Sequence, residues 1–160
     1  MRQAIMISPG EIEFRDVPIP EKLESREVLL KIERIGVCGS DVHVFHGVHP
    51  ATPYPVVPEE RIIPIPDSMS LDQGALIEPA AVGAHSTSRS TGIKGKNVVV
   101  SGAGTIGNLV AQFAKARGAA KVLITDISDY RLGIARECGI EGVLSVAKTS
   151  FDEGVKTFQF

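Results

Sequence analysis

The chain has 160 residues, of which 43% are hydrophobic and 22% charged, and its formal net charge is −2. This composition is typical of a globular protein with a substantial core or two small domains. It gives no reason to expect nucleic acid or a membrane as a partner, and no apolar run is long enough to span a bilayer. Glu11 and Glu13 soon follow the singly charged N-terminus, so we expect no signal peptide. The two cysteines lack framework spacing, which favours a reduced, cytoplasmic protein.

Residues 1 to about 66 are predicted to be rich in β-structure. Short strands are expected over residues 4–7 and 12–17, and the alternation over 28–33 is typical of a half-buried strand. Prolines between Pro50 and Pro66 break the next stretch into extended pieces and turns, because proline has no N–H to donate to a sheet.

Helical signals begin at Ser70. Ser70 and Gln73 fit a capping box, in which the two side chains bond the free backbone N–H groups of a helix start. Pro79 suits the first position of a second helix, and we expect that helix to begin there. His85 is expected to lie on it as a packing or capping residue.

The stretch from 98 to 126 predicts a strand, a glycine turn, a helix and a second strand. Its first strand, 98–100, is an apolar β-branched run of the kind that parallel sheets bury on both faces. A helix over 129–138, a stop at Gly139 and a third strand over 142–146 follow. Cys138 is expected in the core, and residues 147–160 are too few to add a second half to the sheet.

The glycine turn predicts a dinucleotide site. Gly102 permits the tight turn, Gly104 lets a diphosphate approach the backbone, and Gly107 lets the helix pack closely on the strand. The helix directs free N–H groups and its positive dipole end at the phosphates. The Asp126 carboxylate can accept ribose hydroxyls and would repel a 2′-phosphate, which favours NAD over NADP. The alternative is a βαβ unit that binds nothing. The expected contacts are Gly102, Gly104, Thr105, Ile106, Gly107, Asp126 and Arg131.

A second cluster comprises Cys38, Ser40 and His43. A thiolate beside a helix start is a strong zinc ligand, and a hydroxyl and an imidazole nearby can pass a proton from an alcohol to solvent. Taken alone, these residues also fit a buried cysteine and a solvated histidine.

Four motifs together resemble the zinc-dependent medium-chain dehydrogenases, especially their sorbitol (polyol) dehydrogenase branch. The resemblance covers nearly the whole chain and implies an α/β protein. It implies a partial GroES-like β-rich catalytic domain over 1–77 and the first half of a Rossmann doubly wound parallel sheet over 78–160. The motifs are Gly-Val-Cys-Gly-Ser-Asp-Val-His from Gly36, Val-Pro-Glu-Glu-Arg from Val57, Ala-Leu-Ile-Glu-Pro from Ala75, and the glycine turn.

The resemblance also implies roles for single residues. Cys38 and Glu78 match ligands of the catalytic zinc, Ser40 matches the hydroxyl that bonds the substrate, and His43 matches the relay imidazole. The implied oxidoreductase transfers a hydride from a secondary hydroxyl of a polyol or sugar-like alcohol to NAD, with zinc as Lewis acid. It would be a cytoplasmic homodimer or homotetramer when complete. The alternatives are an inactive truncated remnant that binds only the adenosine half of NAD, and an interaction fragment with no ligand.

The chain departs from this family near 57–58. A Gly-His-Glu segment, the four-cysteine lobe and most of the second half of the cofactor domain are missing. Glu59, Glu60, His46 or His49 are candidates to replace a zinc ligand, although the two glutamates better match a surface segment and the histidines a loop near the active-site mouth. A longer polypeptide, an internal deletion or an engineered fragment explains the gap. We favour the first, because a three-stranded parallel sheet exposes an apolar edge.

Overall fold

The computed structural model describes residues 1–48 and 62–159. The chain divides into two compact units, Met1–Ala75 and Leu76–Phe160. The family junction that we expect near 57–58, together with Glu59, Glu60 and His49, lies outside the described residues.

The first unit begins with an antiparallel hairpin. Its strands β1 (Arg2–Ser8) and β2 (Glu11–Asp16) pair with Ala4 opposite Phe14. The turn between them contains Gly10 at a φ of +82°, a conformation that glycine adopts without strain. Both predicted strands are therefore confirmed, with ends that differ by one or two residues.

The strand predicted over 28–33 is wrong, because these residues have no regular secondary structure. Val28, Leu30 and Ile32 are 40%, 49% and 62% exposed. An alternating pattern forms a strand only where another strand satisfies its N–H and C=O groups, and no described strand pairs with this segment.

The described residues of the first unit also form two short helices, α1 (Gly39–Phe45) and α2 (Leu71–Ala75). The predicted capping box of α2 is confirmed. The N–H of Ser70 donates to Gln73 Oε1 over 2.9 Å, and the N–H of Gln73 donates to Ser70 Oγ over 3.2 Å.

The second unit begins with α3 (Ile77–Ser88), which starts two residues before the predicted position at Pro79. Proline is tolerated there because the N–H groups of a helix's first turn have no partner within the helix. His85 lies on α3, as expected, and is exposed to solvent.

The rest of the second unit alternates strands and helices around a parallel sheet with strand order β3–β4–β5. The predicted strand, turn, helix and strand over 98–126 are confirmed, as are the following helix and third strand. The elements are β3 (Asn97–Ser101), α4 (Thr105–Ala116), β4 (Lys121–Asp126), α5 (Asp129–Glu137), β5 (Gly142–Ser145) and α6 (Phe151–Thr157).

The sheet is not covered evenly on its two faces. Val98 and Val100 pack with the buried alanines and Leu132 of α4 and α5, whereas Val99, between them, is 43% exposed. Consecutive right-handed crossovers put α4 and α5 on the same face. The prediction that β3 is buried on both faces is therefore wrong.

Two features at the end of the chain differ from expectation. Cys138 is exposed, not part of the core, since it follows the last residue of α5 as its C-cap. The helix α6 was not predicted, although Ser150 caps it through the N–H of Glu153, a pattern visible in the sequence. Within the described ranges, no helix has the length and apolar character to cross a membrane.

Candidate functional site

The turn between β3 and α4 is shaped by its glycines. Gly102 has a φ of +94°, and its N–H donates to the carbonyl of Thr125 at the end of β4 over 2.8 Å. A Cβ on Gly107 would overlap the carbonyl oxygen of Gly102, so only glycine lets α4 approach the turn this closely. A Cβ on Gly104 would meet nothing within 4 Å. The backbone at Gly104 therefore borders open space that another molecule can fill.

The N-terminus of α4 offers free donors at this open space. Gly104 is the N-cap and has no side chain to bond the first N–H groups, and no acidic residue lies in the first turn. The twelve residues of α4 give it a full dipole with its positive end here. This combination favours an anion such as a diphosphate.

Asp126 lies at the carboxyl end of β4 and is 7% exposed. Its Oδ1 accepts a hydrogen bond from the N–H of Ser128, and its Oδ2 accepts one from the N–H of Ala103, both over 2.8 Å. These N–H groups hold the pKa of the Asp126 carboxyl below its ordinary value, against the opposing effect of burial. The carboxylate is therefore ionised at neutral pH, and part of its capacity to accept hydrogen bonds is used within the protein.

Arg131 lies beside this carboxylate. Its Nη1 is 3.8 Å from Asp126 Oδ2, and its side chain is 58% exposed. The guanidinium therefore carries a positive charge at the rim of the site while most of its donors face solvent.

A cleft of about 450 Å³ opens beside the turn, between α4 and α5. It brings together Gly104, Thr105 and Arg131 of the predicted contacts. The other predicted contacts do not line it, namely Gly102, Ile106, Gly107 and Asp126. Asn108 and Tyr130 also line the cleft and were not predicted. Asn108 is a polar residue on the buried side of α4, one turn after Gly104. That combination is the sequence signal by which Asn108 could have been found.

The second predicted cluster lies in the first unit, at the start of α1. Cys38 is the N-cap of α1, and its N–H donates to Asp41 Oδ2 over 2.8 Å. The Sγ of Cys38 is in hydrogen-bonding contact with Ser40 Oγ. His43 lies in the last turn of α1, and Cys38, Ser40 and His43 are all exposed. His46, a candidate replacement ligand, is the C-cap of the same helix.

The described residues do not supply a complete zinc site. Glu78, the other predicted ligand, is exposed in the first turn of α3 in the second unit. Across residues 1–48 and 62–159, no three side chains of histidine, cysteine, aspartate or glutamate are grouped as a metal site requires. Because a catalytic zinc needs three protein ligands, these residues alone do not fit the ion.

Known dehydrogenases resemble the chain, although no family model matches it. Sorbitol dehydrogenase from Ovis aries is 28% identical over 222 residues, which takes in 95% of this chain and 62% of that protein. The chain therefore matches less than two thirds of the length of this relative. The alignment is longer than the chain itself, so it contains gaps opposite parts of the relative.

Solved structures share the fold over most of the chain. Galactitol-1-phosphate dehydrogenase from Escherichia coli has a TM-score of 0.82 at 24% identity, covering 99% of this chain and 65% of its own. A Sinorhizobium meliloti protein described as a zinc-binding dehydrogenase, bound to NADP, has a TM-score of 0.84 at 22% identity over 93% of this chain and 63% of its own. These neighbours confirm the predicted α/β class, a partial GroES-like part followed by the first half of a Rossmann sheet.

Proposed function

We propose that the chain is a member of the medium-chain polyol and alcohol dehydrogenase family, which its similarity to sorbitol dehydrogenase supports, and that it transfers a hydride from a secondary hydroxyl of a polyol or sugar-like alcohol to NAD. The main observation behind this proposal is the glycine turn. It combines the positive φ of Gly102, the close packing at Gly107 and the open space at Gly104 beside free N–H groups.

The residues of the second unit fit a dinucleotide. The diphosphate would lie at Gly104 and Thr105, where the N–H groups of α4 begin. The adenosine ribose would lie near Asp126, whose carboxylate keeps free lone pairs after its two backbone hydrogen bonds. Arg131, at the rim, would lie along the same part of the cofactor. When bound, the nicotinamide supplies the hydride acceptor.

The charge at Asp126 supports NAD over NADP. Its lowered pKa keeps the carboxylate ionised at neutral pH, and a 2′-phosphate beside it would be repelled. Arg131 offsets this repulsion in part, since its guanidinium is 3.8 Å away. The NADP of the Sinorhizobium meliloti protein is a property of that protein, which resembles this chain at 22% identity.

The alcohol is proposed to react at the cluster of the first domain, for which we keep the boundaries 1–77, with the cofactor domain over 78–160. In this proposal Ser40 Oγ accepts the proton of the substrate hydroxyl as its own hydroxyl proton leaves to the His43 imidazole, which passes a proton on to solvent. The exposure of both side chains supports access to substrate and water. Cys38 and Glu78 are the proposed zinc ligands of the complete protein. The complete protein is proposed to be a homodimer or homotetramer. The described residues alone do not fit the metal.

Two measurements on the purified protein test this function. Titration with NAD and NADP should show NAD binding, with NADP weaker by at least about tenfold because of the charge at Asp126. Incubation with NAD and a panel of polyols should form NADH, detected by its absorbance. No affinity for NAD would overturn the proposal. NAD binding without turnover on any polyol would favour the second candidate, a remnant that binds only the adenosine half of NAD. The glycine turn of the second unit supports that candidate equally.

A further inference from the structure

We propose that Asp126 is a positioning residue of the glycine turn as well as a partner of the ribose. Its carboxylate ties the turn after β3 to the turn after β4 and so fixes the backbone that receives the diphosphate. This inference rests on the proposed binding of NAD. It differs from ribose recognition because it predicts a role in binding ligands that have no ribose hydroxyls near Asp126.

The two ends of this connection belong to different turns. Asp126 Oδ2 accepts the N–H of Ala103, in the middle of the glycine turn, and Oδ1 accepts the N–H of Ser128, the N-cap of α5. Both bonds are 2.8 Å long, and the side chain of Asp126 is 5% exposed. A hydrogen bond to a charged, buried acceptor is stronger than a neutral one at the surface.

The glycine turn has few other means of holding its shape. Gly102 and Gly104, on either side of Ala103, have no side chains and therefore the widest backbone freedom. Ala103 is 3% exposed, so water has little access to its backbone, and a buried N–H that loses its partner is costly. The N–H of Gly102 donates to Thr125, which fixes the start of the turn, and within the described part of the chain the Asp126 bond is the one found at its centre.

Ribose recognition and turn positioning make different predictions for the same substitution. If Asp126 acts only on the ribose hydroxyls, its removal costs nothing against a cofactor that lacks them. If Asp126 also positions the turn, the cost remains with that cofactor, because the diphosphate then meets a looser set of N–H groups. Comparing each variant on both cofactors isolates the coupling between the carboxylate and the hydroxyls.

The experiment measures dissociation constants of the full chain and its variants for NAD and for NAD made with 2′,3′-dideoxyadenosine. The variants are Asp126→Ala and the isosteric Asp126→Asn, which keeps the volume but cannot accept both N–H groups. Asp129→Ala is the control, since Asp129 pairs with Lys148 at the surface and makes no bond to the turn. Amide hydrogen exchange at Ala103, followed by NMR, reports on the turn in the absence of any cofactor.

We expect both Asp126 variants to lose about tenfold or more in affinity for NAD and for the dideoxy cofactor. Exchange at Ala103 should speed up by about tenfold in the same variants and stay unchanged in Asp129→Ala. A loss confined to NAD, or an unchanged exchange rate at Ala103, would overturn the inference and leave the proposed function intact. If the unsubstituted protein binds no NAD, the proposed function fails, and the exchange rate alone decides whether Asp126 holds the turn.

Discussion

Gly107, on the first turn of α4, packs directly against the carbonyl of Gly102, and a Cβ at position 107 would overlap that oxygen. The two residues lie in contact because the chain turns back between them, from the end of β3 into α4. Gly104 lies between them with open space where its Cβ would be. The same motif therefore contains one glycine needed for folding and one that borders the proposed ligand.

Substitution of these two glycines should separate stability from binding. We expect Gly107→Ala to lower the free energy of unfolding by about 3 kcal/mol, since the backbone of Gly102 has to move. Gly104→Ala should leave the free energy of unfolding nearly unchanged but weaken NAD binding by about tenfold or more, because its methyl group occupies the space of the diphosphate. Urea unfolding and NAD titration of both variants measure the two effects.

A half-buried glycine on α5 provides the matched control for this pair. Gly133, in the middle of α5, also has open space around a Cβ, and Gly133→Ala should raise the free energy of unfolding by about 1 kcal/mol without altering NAD affinity. Unchanged NAD binding in Gly104→Ala would contradict the position that we propose for the diphosphate.

The pH dependence of stability should reflect Asp126. Hydrogen bonds from Ser128 and Ala103 lower its pKa in the folded protein. The stabilisation is therefore present above the unfolded-state pKa of about 3.9 and is lost as the pH falls through the lower folded-state value. We expect Asp126→Asn to destabilise the protein at pH 7 by about 2 kcal/mol and the difference to shrink below about pH 4.

Urea unfolding at pH 7, 5 and 3 measures this difference, provided that the protein remains folded without urea at each pH. Asp129→Asn serves as the comparison, because hydrogen bonding to Lys148 lowers the pKa of the Asp129 carboxyl at an exposed position. Its substitution should change stability little at any pH. A difference for Asp126→Asn that stays constant down to pH 3 would show that the ionised form is not what stabilises the turn.

The sequence predicts the second unit well because its signals are local. A glycine at a fixed distance after an apolar strand, with a helical pattern behind it, leaves little freedom for the segment around Gly102. The ends of α4 and α5 follow from glycine at 104, serine at 128 and glycine at 139 for the same reason. These features depend on neighbours in the chain and not on the rest of the fold.

The wrong predictions concern residues whose state depends on distant partners. Val99 and Val100 belong to the same apolar run, so the sequence does not distinguish them. Val99 is nevertheless exposed and Val100 buried, because only one face of β3 is covered by α4. Ile32 lies in an alternating segment that has no described neighbour to pair with. The site shows the same limit: the spacing predicts a carboxylate at Asp126, but its bond to Ala103 is visible only in three dimensions.

The contact between α6 and β5 makes a further prediction. Gly154 packs on Leu144, and a Cβ at position 154 would overlap the end of that side chain and lie 2.9 Å from its Cγ. Leu144 is 6% exposed, so it has little room to move away. We expect Gly154→Ala to lower the free energy of unfolding by about 2 kcal/mol.

The double variant Gly154→Ala/Leu144→Val should recover part of this loss, since the smaller side chain makes room for the new methyl group. Thermal unfolding of the two single variants and the double variant gives the coupling energy. Additive effects would indicate that α6 accommodates the methyl group by shifting, in which case Gly154 is not needed for the close packing.

Removal of metal should distinguish turnover of the alcohol from binding of NAD. The hydrogen bonds that shape the dinucleotide turn run between protein atoms, from Gly102 to Thr125 and from Ala103 to Asp126, so chelation has no direct way to disturb them. In a complete protein that holds the proposed zinc, we therefore expect a chelator to abolish polyol-dependent NADH formation while the dissociation constant for NAD changes by less than about twofold. Activity should return with added zinc, and Cys38→Ser should prevent that return because it removes the proposed thiolate ligand.

Elemental analysis before and after chelation is the necessary measurement beside the assay. Full turnover in metal-free protein would exclude the proposed role of Cys38, whereas loss of NAD binding on chelation would mean that the metal also stabilises the second unit.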